Sequence, residues 1–370
     1  MDLVGFGIVL PILPLYARRY HASPLTATAL VAAFSLAQLL ASPFTGRLSD
    51  RVGRKPVLIG SLVGTAVGSL MTGLAGGLPL LFLARLVDGA SGASVSTAQA
   101  AVSDVAPPDQ RARLFGLLGA AFGLGFILGP AIGGALAPIS PRLPFFAAAV
   151  VAGVNALVAT RRLPETLPRT RDSAPAAPAP RGRGWRAPGV VSLISVSFLS
   201  LVAFSAFEAT FGLFGDKRLG LHLSSTYVVF TIIGVLITID QVVLVHPVVA
   251  RLGERAALQL GLVLNAAGLA LLPGVHTRWG LAPSILLLCA GQGLITPTLA
   301  SAVAGRADDR DRGQVLGIQQ SAGGLARVVG PFAGGLLFGH VAVWTPYAAG
   351  AGLVAIAAVV LAVAPRSPSG

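Results

Sequence analysis

The chain has 370 residues, of which 54% are apolar and only 11% charged, with a mean hydropathy of +0.79. A soluble domain carries about 25% charged residues and interrupts every apolar run with a polar face, so a water-soluble fold is excluded and an integral membrane protein is expected. The single cysteine, Cys289, can neither close an intrachain disulfide nor build a thiolate cluster, and the formal charge of +13 points to nucleic acid only if the basic residues gather on one solvated face.

Apolar stretches of about 20 residues recur near 1–17, 26–45, 57–75, 78–102, 115–137 and 143–160. They resume near 188–213, 225–247, 256–274, 281–303, 314–338 and 342–364. The expected fold is an all-α membrane protein of twelve transmembrane helices in two groups of six. Residues 1–160 form the N-terminal bundle and 188–370 the C-terminal one, and the Pro-, Ala- and Arg-rich stretch 161–187 between them reads as a linker. Spans of this number consume most of the chain, which leaves no extramembrane region large enough for a soluble catalytic domain.

An even number of spans puts both termini on one side. The loops on that side and the C-terminal tail hold 19 Lys and Arg residues, against 6 in the opposite loops (Arg18, Arg19, Arg142, Lys217, Arg218 and Arg278). By the positive-inside rule both termini are cytoplasmic. Arg85 and Arg327 fall inside spans, so topology accounts for the basic surplus and a nucleic-acid partner is not required.

The chain repeats itself. Arg51-Val-Gly53-Arg-Lys55 faces Arg251-Leu-Gly253-Glu-Arg255 at a shift of 200, and Arg111, Gly116, Gly129-Pro130 and Gly133-Gly134 fall on Arg312, Gly317, Gly330-Pro331 and Gly334-Gly335 at a shift of 201. A shift of six spans returns the chain to the same side, so the halves are parallel repeats about an axis along the membrane normal. Such repeats place a substrate cavity at their interface and alternate its access by rocking, which points to transport.

The stretch Gly46-Arg-Leu-Ser-Asp50-Arg51-Val-Gly53-Arg54-Lys55-Pro56 between spans 2 and 3 resembles the signature loop of the major facilitator superfamily, G-x-L-S/A-D-R-x-G-R-K/R. Asp50 is an acceptor placed to cap N–H groups at the start of span 3, and the basic residues can bridge to carboxylates or helix carbonyl ends. The alternative is that they only enforce topology and turn geometry. Span 5 carries Gly125-x-x-x-Gly129-Pro130-x-x-Gly133-Gly134, which resembles the motif of the proton-coupled antiporter branch. Plain G-x-x-x-G packing is the competing reading, and in either case the role is conformational rather than ligand-binding.

Span 1, with Gly5, Gly7, Pro11 and Pro14, is similar to the first helix of the twelve-span drug:proton antiporters, a family that includes multidrug and tetracycline efflux proteins. Arg85-x-x-x-Gly89, Pro164-Glu165-Thr166 and Phe207-Glu208-Ala-Thr-Phe211 extend the resemblance over most of the chain. Only one residue precedes Asp2 here, where family members have several more. Residues 2–17 make a span of about 24 Å against a hydrocarbon core of about 30 Å, so span 1 reads as shortened and an upstream start is an open expectation. With Met1 as the start, Asp2 lies near the cytoplasmic interface.

Ionisable groups inside spans are costly and are functional candidates by default. Asp2, Arg85, Asp88, Glu208 and Asp240 are candidates for proton coupling. The resemblance implies that Arg85 holds the span-1 aspartate ionised until substrate or proton displaces it. The alternative is that Arg85 and Asp88, three residues apart, neutralise each other on one helix face. Glu208 either snorkels to the outer interface or lines the cavity, and Asp240 lies deeper. Arg327 needs an acceptor such as Asp240 or Glu208. Phe34, Gln38, Phe122, Phe204 and Gln241 are, with Arg327, candidate lining of the substrate cavity, with ordinary packing as the alternative for the aromatics and amides.

The histidines show no pair at metal-ligand spacing and no G-x-x-x-x-G-K-S/T cradle is present, so neither a metal site, nor a cofactor, nor ATP drive is expected. The expected function is a monomeric secondary transporter that exports a small amphipathic drug in exchange for protons. A facilitator of the same fold carrying a sugar, amino acid or siderophore is the alternative, as is a non-transporting truncated paralogue. An intramembrane enzyme is not expected, since the spans hold no nucleophile arrangement. The 25 arginines against two lysines fit a high-GC bacterium, and the bacterial inner membrane is the expected location.

Overall fold

The computed structural model describes residues 2–92, 94–105, 111–166, 189–306 and 312–365. Over these residues the protein consists of helices and the turns between them, without a strand. By contact the chain separates into two compact units, Met1–Asp172 with Gly220–Gly234, and Ser173–Leu219 with Val235–Gly370.

The first unit is built from α1 (Asp2–Val9), α2 (Leu13–Ala17), α3 (Pro24–Val52), α4 (Arg54–Leu74), α5 (Leu78–Ser91), α6 (Ser94–Val105), α7 (Arg111–Leu136) and α8 (Leu143–Arg162). The second contains α9 (Val190–Leu219), α11 (Val245–Leu252), α12 (Glu254–Leu271), α13 (Leu281–Arg306), α14 (Arg312–His340) and α15 (Thr345–Val363), and the unit boundary crosses α10 (Leu223–Ile239) at Gly234. Among the described residues nine helices are long and apolar enough to cross a membrane, and Gly123–Leu136, the second half of α7, is a shorter apolar stretch.

Helix starts follow the local chemistry. Ser23 accepts a hydrogen bond from the Thr26 N–H at 3.1 Å as the cap of α3, and a proline stands in the first two positions of α2, α3, α5, α8 and α15. A helix start has no use for the missing N–H, and the ring sets φ for the turn that follows. Where proline stands inside a short apolar run, the result is a break. Span 1, expected as one helix, is two, because Pro11 cannot donate to the ladder and its ring crowds the preceding turn, so α1 ends at Val9. Span 4 is likewise divided, with α5 closing at Ser91 on Gly92 and α6 starting at Ser94. The expected loop between spans 2 and 3 is mostly helix. Its charged residues do not end α3, which runs to Val52 and passes into α4 through Gly53 alone, at φ +108°. The expected linker, 161–187, lies almost wholly outside the described residues, which resume at Gly189.

The repeat seen in the sequence is repeated in the packing of each unit. In the first, α4 packs on α5 and α8, and α1 on α7 and α8; in the second, α12 packs on α13 and α15, and α9 on α14 and α15. Gly253, at φ +79°, joins α11 to α12 as Gly53 joins α3 to α4. Glycine also sets the crossings. A methyl group on Gly68 would lie 3.1 Å from the Ala84 carbonyl, and one on Gly268 would lie 2.8 Å from the Ser284 carbonyl, the same crossing 200 residues on. In lipid, where apolar burial gives no driving force between helices, such close backbone approach is a main source of attraction.

Candidate functional site

At the α3–α4 junction the Arg54 guanidinium donates to Ser49 Oγ at 2.6 Å, Asp50 Oδ1 at 2.5 Å and Asp104 Oδ2, on α6, at 3.0 Å. Asp50 lies inside α3, so the expected cap of α4 falls to another residue: the N–H groups of Arg54 and Lys55 donate to Glu165 Oε1 and Oε2 at 2.8 and 3.2 Å. A methyl group on Gly53 would collide with the same carboxylate. A carboxylate at the positive end of a helix dipole is well placed to hold α8 to α4. Gly46, Arg51 and Asp50 lie on the last turns of α3, with Arg51 and Asp50 exposed.

On α5, Arg85 Nη1 pairs with Asp88 Oδ2 at 3.0 Å and Nη2 donates to Thr72 Oγ1, on α4, at 2.9 Å. Arg85 is 3% exposed and Asp88 6%. Arg85 Nε is buried without a hydrogen-bond partner among the described residues. Asp2 lies in α1, but its side chain is outside the described residues, so the Arg85–Asp2 contact implied by the resemblance is not among the contacts seen. The pair is not demanded by the fold, because the corresponding positions on α13 are Ile285 and Leu288, both buried.

In the second unit Glu208 on α9 and Arg327 on α14 attract each other electrostatically across packed helices. Arg327 is exposed and Glu208 half-buried. Asp240 opens a π-helical turn, Asp240–Leu244, in which the Val245 N–H reaches back to the Asp240 carbonyl. Gln241, next to it, is exposed, and Phe204 stacks at 6.1 Å on Phe207 in an aromatic row that continues to Phe211.

The span-5 glycines bring backbones together. A methyl group on Gly129 would stand 2.7 Å from Gly7 Cα, and one on Gly7 would stand 2.6 Å from the Gly125 carbonyl, so α1 and α7 touch main chain to main chain. Gly133 and Gly134 leave room for the ring of Tyr227, whose hydroxyl donates to the Ile8 carbonyl at 2.9 Å, one of those left free where α1 ends. α7 continues as helix through Pro130.

The Major Facilitator Superfamily model matches residues 1–244 and 241–370. This chain belongs to the Major Facilitator Superfamily. It is 32% identical over 338 residues to the tetracycline resistance protein, class C, of Escherichia coli, which covers 90% of this chain and 85% of that protein. Multidrug resistance protein 2 of Bacillus subtilis is 30% identical over 348 residues, 90% of this chain and 85% of its own length. Among solved structures the human organic anion transporter MFSD10 is 26% identical with a TM-score of 0.73, covering 97% of this chain and 96% of that one. The nucleoside transporter NupG, at 13% identity and TM-score 0.79, shares the fold. This facilitator is thus a multi-pass membrane transporter and not an enzyme.

Within that family frame, Phe34 and Gln38 sit on α3 against the break between α5 and α6. Gln38 Nε2 donates to the Gly92 carbonyl at 2.7 Å, which satisfies a group freed where α5 stops. The side chain of Phe122 lies outside the described residues. Sequence reasoning passed over Thr72, Asp104 and Tyr227 and gave Glu165 no role. Glu165 had a signal in the Pro-Glu-Thr stretch after span 6; the others are polar residues in helices that nothing in the local sequence sets apart.

Proposed function

We propose that this facilitator exports a small amphipathic drug, tetracycline-like or of the multidrug type, in exchange for protons by alternating access. The observation that carries the reading is the similarity to tetracycline and multidrug resistance proteins over nine-tenths of the chain. In this reading the protein is a monomer in a bacterial inner membrane with both termini cytoplasmic, residues 161–187 link two six-helix bundles, and the lipid bilayer is its solvent.

Asp2 carries the proton at the N-terminal bundle and Arg85 competes with it. Protonation favours one facing state, and drug binding favours release of the proton, so each ligand shifts the population by its differential affinity. Phe34, Gln38, Phe122, Phe204, Gln241 and Arg327 contribute to drug binding, while Gly125, Gly129, Pro130, Gly133 and Gly134 permit the helix movements. Cells expressing the chain are expected to accumulate several-fold less tetracycline or ethidium than control cells, and to lose that difference when an uncoupler collapses the proton gradient. Equal accumulation of both compounds with and without the chain overturns the proposal.

A further inference from the structure

The membrane-embedded carboxylates whose side chains are described are not equivalent. Asp88 meets Arg85 at 3.0 Å, and Glu208 is attracted by Arg327. Asp240 is 8% exposed, lies near the middle of the Leu223–Leu252 span, and has no basic partner among the described residues. An ionised carboxylate enclosed by protein in a membrane needs a cation within reach, and leaving it without one is strongly destabilising.

The backbone around Asp240 departs from the repeat. Counted back from the joining glycines, Gly253 and Gly53, the first-half counterpart of Asp240 is Leu40, and α3 passes through it as regular helix. α3 has 29 residues, whereas the span Leu223–Leu252 has 30. The span Leu223–Leu252 instead carries a π-turn that begins at Asp240, and single π-turns inside helices recur at functional sites. The fold therefore requires neither the carboxylate nor the turn that carries it.

The surroundings decide which cation fits. A methyl group on Gly293 of α13 would stand 2.7 Å from Asp240 Cβ, so the α13 backbone passes directly against this side chain. The Cys289 thiol, one turn earlier on α13, is the titratable group that interacts with it, and from Leu281 to Val303 α13 has no acidic or basic residue. On its own element the nearest titratable groups are His246, at the start of α11 just past the π-turn, Arg251, near the far end of α11, and Tyr227, whose hydroxyl is engaged by Ile8. No group of three or more His, Cys, Asp or Glu side chains able to hold a metal ion exists among the described residues. A proton needs no such ligand set and no space.

We propose that Asp240 is a proton-carrying site of the C-terminal half, one that binds a proton at its carboxylate from the outer side and releases it to the inner side in each cycle. The proposal rests on the exporter reading and adds a second coupling group to it. The test uses the full chain, Asp240→Asn and Asp240→Glu in proteoliposomes, with tetracycline and ethidium as probes. Two rates are read: uptake driven by an imposed pH gradient, and exchange of labelled for unlabelled probe without a gradient. Asp240→Asn is expected to lose gradient-driven uptake at least tenfold while its exchange stays within about twofold of the parent, and Asp240→Glu to keep both. Undiminished gradient-driven uptake in Asp240→Asn overturns the proposal, as does loss of exchange together with uptake, which would make Asp240 a structural group. Absence of gradient-driven movement in the parent chain overturns the exporter reading and this proposal with it; movement in the parent with an unaffected Asn variant overturns this proposal alone.

Discussion

Arg85 and Asp88 occupy places that the other half of the molecule fills with Ile285 and Leu288, around the same glycine crossing. A buried ion pair is weak evidence for stability, because desolvation offsets most of the attraction, and breaking one by removing a single partner costs about 3–5 kcal/mol. Asp88→Asn is therefore expected to lower the thermal stability of the purified protein by several degrees. The double variant Arg85→Ile with Asp88→Leu, which copies the second half, is expected to recover that stability and still lose gradient-driven transport. Recovery of both stability and transport would assign the pair a packing role. Asp2→Asn belongs beside it: abolished gradient-driven exchange at unchanged protein abundance is expected, and an unaffected rate rejects Asp2 as the proton site.

At the scale of elements, contacts between main chains set the geometry. Gly129→Leu would drive a side chain into the Gly7 backbone, and the expected result is an abundant protein whose transport rate falls at least tenfold. Glu165→Gln removes the charge that caps α4, at a cost of about 1 kcal/mol read as a lower unfolding temperature. Some of this was legible in the sequence and some was not. Apolar runs located the helices, because the bilayer demands about 20 such residues, and Gly53 and Gly253 marked the junctions through the repeat. The Glu165 cap lies 111 residues from Arg54 along the chain, beyond any local pattern. The continuation of α3 through Asp50 was hidden because hydropathy reports where the membrane ends and not where the hydrogen-bond ladder does. The π-turn at Asp240 was hidden because the apolar run Val242–Leu244 that it contains reads the same in a regular helix. The break at Pro11 followed from chemistry already visible, since its missing N–H carries more weight in a run this short than at Pro43 or Pro130, where long helices continue.

For the whole molecule, two copies of one helical plan hold different membrane-embedded charged groups among the described residues: the Arg85–Asp88 pair in the first, and the Glu208–Arg327 couple and Asp240 in the second. Common packing with divergent charge is what a transporter needs if its halves share a fold and divide the chemistry. The orientation inferred from the basic residues makes its own prediction. A cysteine replacing Lys217 is expected to react with a membrane-impermeant maleimide in intact cells and one replacing Arg251 only after permeabilisation, with Cys289 silent because it is buried; the reverse pattern would invert the topology. The most direct test of the central claim is gradient-driven transport by the purified chain in proteoliposomes, followed with tetracycline and ethidium. Drug movement against its own gradient, in the direction opposite to proton flow and abolished by an ionophore, is the predicted result; movement that ignores the pH gradient, or none of either compound, would contradict the account.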